Sequence, residues 1–172
     1  MEVFQTTSSA SVEVIAASPA QAPILANLLE LYIYDFSEFI DITLGDDGRF
    51  GYPQLPLYWQ EPQRHPFLIR VEGQWAGFAL VRRGSQLSGD EQVYDVAEFF
   101  ILRSARRRGI GRQAAHAIWQ RFPGAWEVRV INRNQQAQSF WRRAISEFIG
   151  TAVDPTPFEK NGEGWQVYAF DT

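Results

Sequence analysis

The sequence predicts an α/β fold, a mixed central sheet of about six to seven strands with helices on both faces. Three observations carry that prediction. Stretches of two-residue hydrophobic alternation are interleaved with stretches of helical spacing along the whole chain. One stretch, Gln92–Leu102, is apolar on both faces, as a central strand covered on both sides must be. That stretch runs directly into a basic, glycine-bearing helix start, Arg106-Arg107-Arg108-Gly109-Ile110-Gly111-Arg112. Backbone N–H groups at such a start have no partner inside the helix, and the helix dipole favours anions there.

The elements follow in order. Ser11–Ala17 alternates, with Val12, Val14 and Ala16 on one side, and reads as a first strand. Ser18-Pro19-Ala20-Gln21 is a helix start with a capping box and a proline in the first turn. Leu25, Leu28, Leu29, Tyr32 and Phe36 then form one apolar stripe, which ends near Ser37–Ile40. Asp41–Pro66 is rich in glycine and proline and should be irregular. It also holds Phe50, Tyr52, Tyr58 and Trp59, so it is either a binding loop or a cap on the core. Phe67–Val71 and Trp75–Val81 read as a hairpin turning at Glu72-Gly73, and Gly84–Asp90 as a second turn.

On the long strand Gln92–Leu102, the alternation puts Tyr94, Val96, Glu98, Phe100 and Leu102 on one face, with Asp95 on the other. Gly109–Phe122 is a helix stopped by Pro123-Gly124, Trp126–Ile131 a strand, and Asn134–Phe148 a second amphipathic helix. Thr151–Val153 and Gly164–Asp171 are expected to be the last strands, with Asn161-Gly162 as a turn between them.

Length and composition fix the class. The 172 residues suit one domain, expected over residues 11–172 behind a polar arm at residues 1–10. A hydrophobic fraction of 45% fits a globular chain. No apolar run approaches the roughly 20 residues of a membrane helix. Met1–Ala10 lacks the basic start and apolar block of a signal peptide, so the cytoplasm is the expected compartment. Without cysteine there is no disulfide framework and no cysteine–zinc site, and His65 and His116 suggest no metal centre. A net charge of -4 argues against general nucleic-acid binding. The arginines instead cluster at Arg103–Arg112 and at Arg129, Arg133, Arg142 and Arg143. Such a cluster is either a solvated basic face or a seat for a small polyanion.

Arg106, Gly109 and Gly111 resemble the acetyl-CoA signature of the GNAT superfamily of N-acetyltransferases: Gln or Arg, two residues, Gly, one residue, then Gly or Ala. Asn134-Gln135-Gln136-Ala137-Gln138-Ser139-Phe140-Trp141 is similar to the family's later segment, an Asn leading into a helix with Ala and a Phe–aromatic pair. The order of elements agrees over residues 11–172. The resemblance implies the GNAT fold, with fourth and fifth strands splayed to admit the pantetheine arm. It implies acetyl-CoA as co-substrate and transfer of its acyl group to a primary amine, of a small molecule on this reading, by direct attack. A GNAT-like module that binds acyl-CoA without transfer is the competing expectation. The resemblance also leaves a homodimer open, and gives no membrane or nucleic-acid partner.

On that resemblance, the amides of Arg108, Gly109, Ile110, Gly111 and Arg112 would hold the pyrophosphate of coenzyme A. Arg106, Arg107, Arg108 and Arg112 would add positive charge. The main chain of Phe100, Ile101 and Leu102 would bind the pantetheine like an added strand. Asn134 would touch the cofactor, cap the following helix, or do both. Glu98, a carboxylate among apolar neighbours, is the expected base, with Asp95 on the opposite face as the alternative. Many family members carry a Tyr where this chain has Trp141, which has no acidic proton to give a thiolate. Ser139 or a water could take that place, leaving Trp141 as a packing wall. The acceptor would lie among Tyr34, Asp35, Glu38, Phe50, Tyr52, Tyr58 and Trp59, with Tyr168 opposite. Acidic and aromatic groups together suit a cationic amine.

Overall fold

A computed structural model describes residues 11–172, so the expected arm at residues 1–10 lies outside the described residues. Seven strands form one sheet: β1 (Val12–Ala16), β2 (Arg64–Val71), β3 (Gln74–Arg83), β4 (Tyr94–Ile101), β5 (Ala125–Ile131), β6 (Thr156–Lys160) and β7 (Glu163–Asp171). Their order across the sheet is β1-β2-β3-β4-β5-β7-β6. Every neighbouring pair is antiparallel except β4 and β5, which run parallel.

Three helices cover the sheet: α1 (Ala22–Phe36), α2 (Ile110–Arg121) and α3 (Gln135–Ile149). α1 brings Leu25, Leu28 and Leu29 onto Leu68, Phe78, Leu80 and Phe100, together with Leu55 and Tyr58 from the 41–63 connection. α2 and α3 cover the other face. There Ile110, Ala114, Ile118, Trp119, Trp141 and Ile145 pack on Ile69, Val81, Val96, Trp126 and Val128. α1 begins as the capping box predicts: the Gln21 side chain accepts from Ser18 N at 2.9 Å, although the first turn is 3-10. No helix among the described residues is long and apolar enough to cross a membrane.

Three departures from the sequence reading have clear physical reasons. β2 starts at Arg64 and takes in Pro66. The Pro66 carbonyl accepts from Ala17 N at 2.9 Å, so its missing N–H faces the same way, opposite the end of β1. The ladder loses almost nothing there. β6 is Thr156–Lys160 rather than Thr151–Val153. Asn161 and Gly162 both have positive φ, the geometry of a two-residue hairpin, so β6 must end directly before them. Val153 is instead a buried loop residue. The third departure is in β4. Leu80 pairs with Glu98, but Val81 pairs with Val96, so Ala97 is an extra residue, a β-bulge. The bulge reverses side-chain parity. Tyr94 and Val96 therefore join the α2–α3 core, while Asp95 shares the α1 face with Glu98 and Phe100.

The bulge coincides with the place where β4 leaves β5. Their register covers only Tyr94–Trp126, Asp95–Glu127 and Val96–Val128. From Ala97 onward the two strands diverge, which is the expected splay.

Gly77 keeps β3 close to the free end of β4. A Cβ there would stand 2.0 Å from the Phe100 carbonyl oxygen, which is main chain and has little room to yield. Gly77→Ala is expected to destabilise the protein by about 1–3 kcal/mol, read as a lower chemical-denaturation midpoint at unchanged slope. An unchanged midpoint would contradict the close approach.

Candidate functional site

A cavity of about 840 Å³ opens at the splay. Its floor is β4, at Phe99, Phe100 and Ile101, with Phe140, Trp141 and Ala144 of α3 on one wall and Tyr32, Asp35 and Phe36 of α1 on the other. Its far end is the Arg103–Arg112 turn and the start of α2.

That far end is built to expose amides. Gly109 caps α2 with φ 74°, the left-handed region that glycine enters freely. The first main-chain bond back into the helix is Gln113 N to Gly109 O, at 3.1 Å. The N–H groups of Ile110, Gly111 and Arg112 thus have no helical acceptor and point out of the helix end. Gly111 serves packing instead. A Cβ there would come within 3.2 Å of the Phe140 ring and 3.4 Å of Ile101, so its absence lets α2 lie close against α3 and β4.

Charge around this end is unevenly committed. Arg106 donates to Ile101 O at 2.8 Å and to Asp35 at 2.5 Å. Arg103 also holds Asp35, at 2.6 Å. Arg112 and Arg143 share Glu147. Partial burial alone would raise the Asp35 carboxyl, but hydrogen bonds and charge from Arg106 and Arg103 outweigh it and hold it below the usual range. Arg107, with φ 62°, makes no ion pair among the described residues and lines the cavity.

The floor offers main chain. Leu102 N donates to Ala76 O at 2.8 Å, and Leu102 O accepts from Ala105 N at 2.9 Å. Hydrogen-bonding direction alternates along an antiparallel strand. Phe100 therefore faces β3 with Leu102, while Phe99 and Ile101 face the splay.

At the near end Glu98 is half-buried behind Tyr32. Tyr32 donates to Glu98 Oε2 at 2.6 Å and Tyr52 donates to Oε1 at 3.0 Å. Burial is the main reason that the Glu98 carboxyl is raised above its ordinary range; the Tyr32 and Tyr52 hydroxyls and the Arg129 charge oppose it, and Asp95 adds to it. Burial and the Glu98 charge push both phenols up in turn. Deeper on the same face, Asp95 is fully buried and accepts from Arg82 at 2.8 Å and Arg129 at 2.9 Å.

A family model described as the acetyltransferase (GNAT) family matches residues 28–145, more than half of the chain. The chain belongs to the GNAT acetyltransferase family. Solved structures agree on the fold. An acetyltransferase from Thermus thermophilus is 16% identical with a TM-score of 0.70, covering 94% of this chain and 97% of that one. A GCN5-related N-acetyltransferase from Kribbella flavida is 16% identical with a TM-score of 0.65, covering 94% and 98%. RimL, a ribosomal L7/L12 alpha-N-protein acetyltransferase in complex with coenzyme A, is 17% identical with a TM-score of 0.64, covering 93% of each chain. A comparison with curated protein sequences finds no match.

Within this GNAT domain the residues singled out from sequence fall into distinct places. Phe100, Ile101, Arg106, Arg107, Arg108, Gly109, Ile110, Gly111, Arg112, Asn134 and Trp141 all line the cavity. Asn134 is also the cap of α3, its Oδ1 accepting from Ala137 N at 2.9 Å. Trp141 is nearly buried and lies edge-on to Phe99 at 5.0 Å, the wall expected of it. Leu102 is corrected, because both of its main-chain groups are engaged within the protein, and so is the main chain of Phe100, which faces β3 rather than the splay. Ser139 is corrected as well: its hydroxyl donates to Gln135 O at 3.0 Å on the exposed side of α3, away from the cavity.

The acceptor set is dispersed. Asp35 and Glu38 line the cavity, but the Asp35 carboxylate is taken by two arginines. Tyr34 points to solvent, at 67% exposure. Phe50 belongs to a loop tied to α1 through Glu30, which accepts from Phe50 N and Gly51 N. Tyr58 is a core residue under Arg64. Tyr168 pairs with Val128, so it faces α3, on the opposite side of the sheet from Glu98. Tyr52 alone of the loop aromatics reaches Glu98. Sequence reasoning passed over Tyr32 and the Phe99 main chain. A single hydroxyl in the otherwise apolar α1 stripe was the available signal for Tyr32.

Among the described residues no three His, Cys, Asp or Glu side chains are grouped to hold a metal.

Proposed function

We propose that this GNAT acetyltransferase moves an acetyl group from acetyl-CoA to the amine nitrogen of a small acceptor, by direct attack on the thioester. The observation that carries the reading is one continuous cavity. It joins an open helix N-terminus, an unpaired strand edge and a tyrosine bonded to a half-buried carboxylate. The α2 amides and Arg107 suit a pyrophosphate, by fixed dipoles and by charge. The Phe99 main chain and the Ile101 N–H, the Ile101 carbonyl being held by Arg106, suit the amides of a pantetheine arm. Glu98 is the base, since burial raises its affinity for a proton above that of an ordinary carboxylate. The acceptor amine approaches from the side of Tyr32 and Tyr52.

Trp141 supports a second reading. Without an acidic hydroxyl at that position, the same cavity would serve a module that holds acyl-CoA and does not transfer it.

Thiol release from acetyl-CoA with a panel of primary amines separates the two. Turnover with any amine supports transfer, and tight coenzyme A binding without turnover supports the module. Gly109→Asp tests the cofactor end by itself. Asp tolerates the left-handed region and suits a helix N-cap, so the variant should stay folded. Its carboxylate would occupy the anion site. Thermal stabilisation by acetyl-CoA is expected to vanish, and full retention would remove the pyrophosphate assignment.

A further inference from the structure

Two gaps remain in this mechanism. Glu98 does not line the cavity, and the leaving thiolate has no assigned proton donor. Tyr32 stands at both gaps. Its hydroxyl is 2.6 Å from Glu98 Oε2, and its side chain forms part of the cavity wall beside Phe100. Among the described residues it is the one cavity-lining side chain that carries a hydroxyl. Aromatic packing fixes the ring, with Phe36, Phe78 and Phe100 all at centroid distances of 5.8–5.9 Å. Tyr52 holds the second oxygen of Glu98, so the carboxylate cannot turn away.

Resting on the acetyltransferase reading, we propose that Tyr32 is the proton carrier of the reaction: it links the half-buried Glu98 to the reacting atoms and protonates the departing sulfur. The balance closes on this chain's residues alone. The amine nitrogen attacks the thioester carbon, forming the C–N bond and placing the carbonyl electron pair on oxygen. A nitrogen proton passes to the Tyr32 oxygen as the Tyr32 proton passes to Glu98. The oxygen pair then re-forms the carbonyl and the C–S bond breaks. Glu98 returns its proton to Tyr32 as Tyr32 gives its own to the sulfur. Nitrogen and sulfur sit on one carbon, so a single hydroxyl serves both, and no free tyrosinate is formed. Free tyrosinate would be costly here, because burial and the Glu98 charge disfavour it. Trp141 at the family's usual tyrosine position is then compatible with turnover.

Tyr32→Phe keeps the ring and removes only the oxygen. The test compares wild type, Tyr32→Phe, Glu98→Gln and the double variant, with the best amine of a panel. Two donors are used: acetyl-CoA, and 4-nitrophenyl acetate, whose nitrophenolate leaves without a proton. With acetyl-CoA, Tyr32→Phe should lower kcat by about 10²-fold or more, with KM for acetyl-CoA and thermal stabilisation by coenzyme A unchanged. The double variant should be no slower than the slower single variant, since the two groups act as one relay. With the aryl ester the Tyr32→Phe loss should be smaller than with acetyl-CoA but should not vanish, because leaving-group protonation is no longer needed while the amine proton still leaves through Tyr32. Unchanged kcat in Tyr32→Phe, an equal loss with both donors, or additive losses would each overturn the relay while leaving the acetyltransferase reading in place. Coenzyme A binding by wild type without turnover of any amine would overturn that reading, and the relay with it.

Discussion

Glu98→Gln should lower kcat by about 10²–10⁴-fold, the range for loss of a general base, while leaving the fold and coenzyme A binding intact. The amide is close to isosteric with the carboxyl. It can still accept from one of Tyr32 and Tyr52, and the other hydroxyl can rotate to accept from its NH₂. Stability should move the other way from activity. A carboxyl whose value is raised in the folded state binds its proton more readily there than in the unfolded chain. Its contribution to stability is full below the ordinary carboxylate range, and is lost as pH rises through the raised value. Above the raised value the wild type therefore carries a partly buried charge that the variant lacks. Relative to the wild type, Glu98→Gln should gain melting temperature as pH rises through the raised value, and so show a flatter pH dependence. In the wild type, kcat/KM should rise with pH through the raised Glu98 value, because only the carboxylate accepts a proton. A variant that keeps wild-type kcat would remove Glu98 from the base role, and one whose stability relative to the wild type does not rise with pH would contradict the raised carboxyl.

Asp95→Asn should cost about 3–5 kcal/mol of folding stability, the range for breaking a buried ion pair from one side. Asp95 has no exposed surface and is held by both Arg82 and Arg129, themselves largely covered. An amide in its place leaves two guanidinium groups facing a neutral partner in a low-dielectric setting. The variant should also report on Glu98. The Asp95 charge helps to keep the Glu98 carboxyl raised, whereas Arg129 lowers it. Removing the one and freeing the other both pull Glu98 down, so the rising limb of the pH–rate profile should shift to lower pH. Denaturant unfolding measures the first effect and the pH profile the second. A stability loss under about 1 kcal/mol would mean that the trio is more solvated than its burial implies.

Much of the fold was legible in the chain because its signals are local. The Ser18–Gln21 box, the α1 stripe of Leu25, Leu28 and Leu29 and the Asn161-Gly162 turn each specify structure within a few residues. The cofactor end was legible for the same reason. A left-handed glycine before a helix exposes amides wherever the helix lies, so Gly109 can be read without knowing its neighbours. Gly111 is different. Its role depends on Phe140 arriving from α3, and spacing alone does not tell it from a second phosphate glycine.

The catalytic end resisted reading because it is assembled from distant residues. One extra residue in β4, Ala97, turns Asp95 to the Glu98 side and Val96 away from it. Strict alternation cannot register a bulge, since the extra residue shows only in the register of β4 against β3. The faces of β5 and β7 settle that Tyr168 points away from the acceptor, and α1 docking settles that Tyr32 meets Glu98, 66 positions later in the chain.

By itself, then, the sequence determined the α/β class, the element order and the anion-binding helix start, because periodicity, capping and backbone conformation are properties of neighbouring residues. Only the tertiary structure decided which side chains face the reacting atoms. That choice rests on sheet register, on a single bulge and on helix docking. These bring Tyr32, Tyr52, Asp95, Glu98 and Arg129 together on one face from segments that share no local signal.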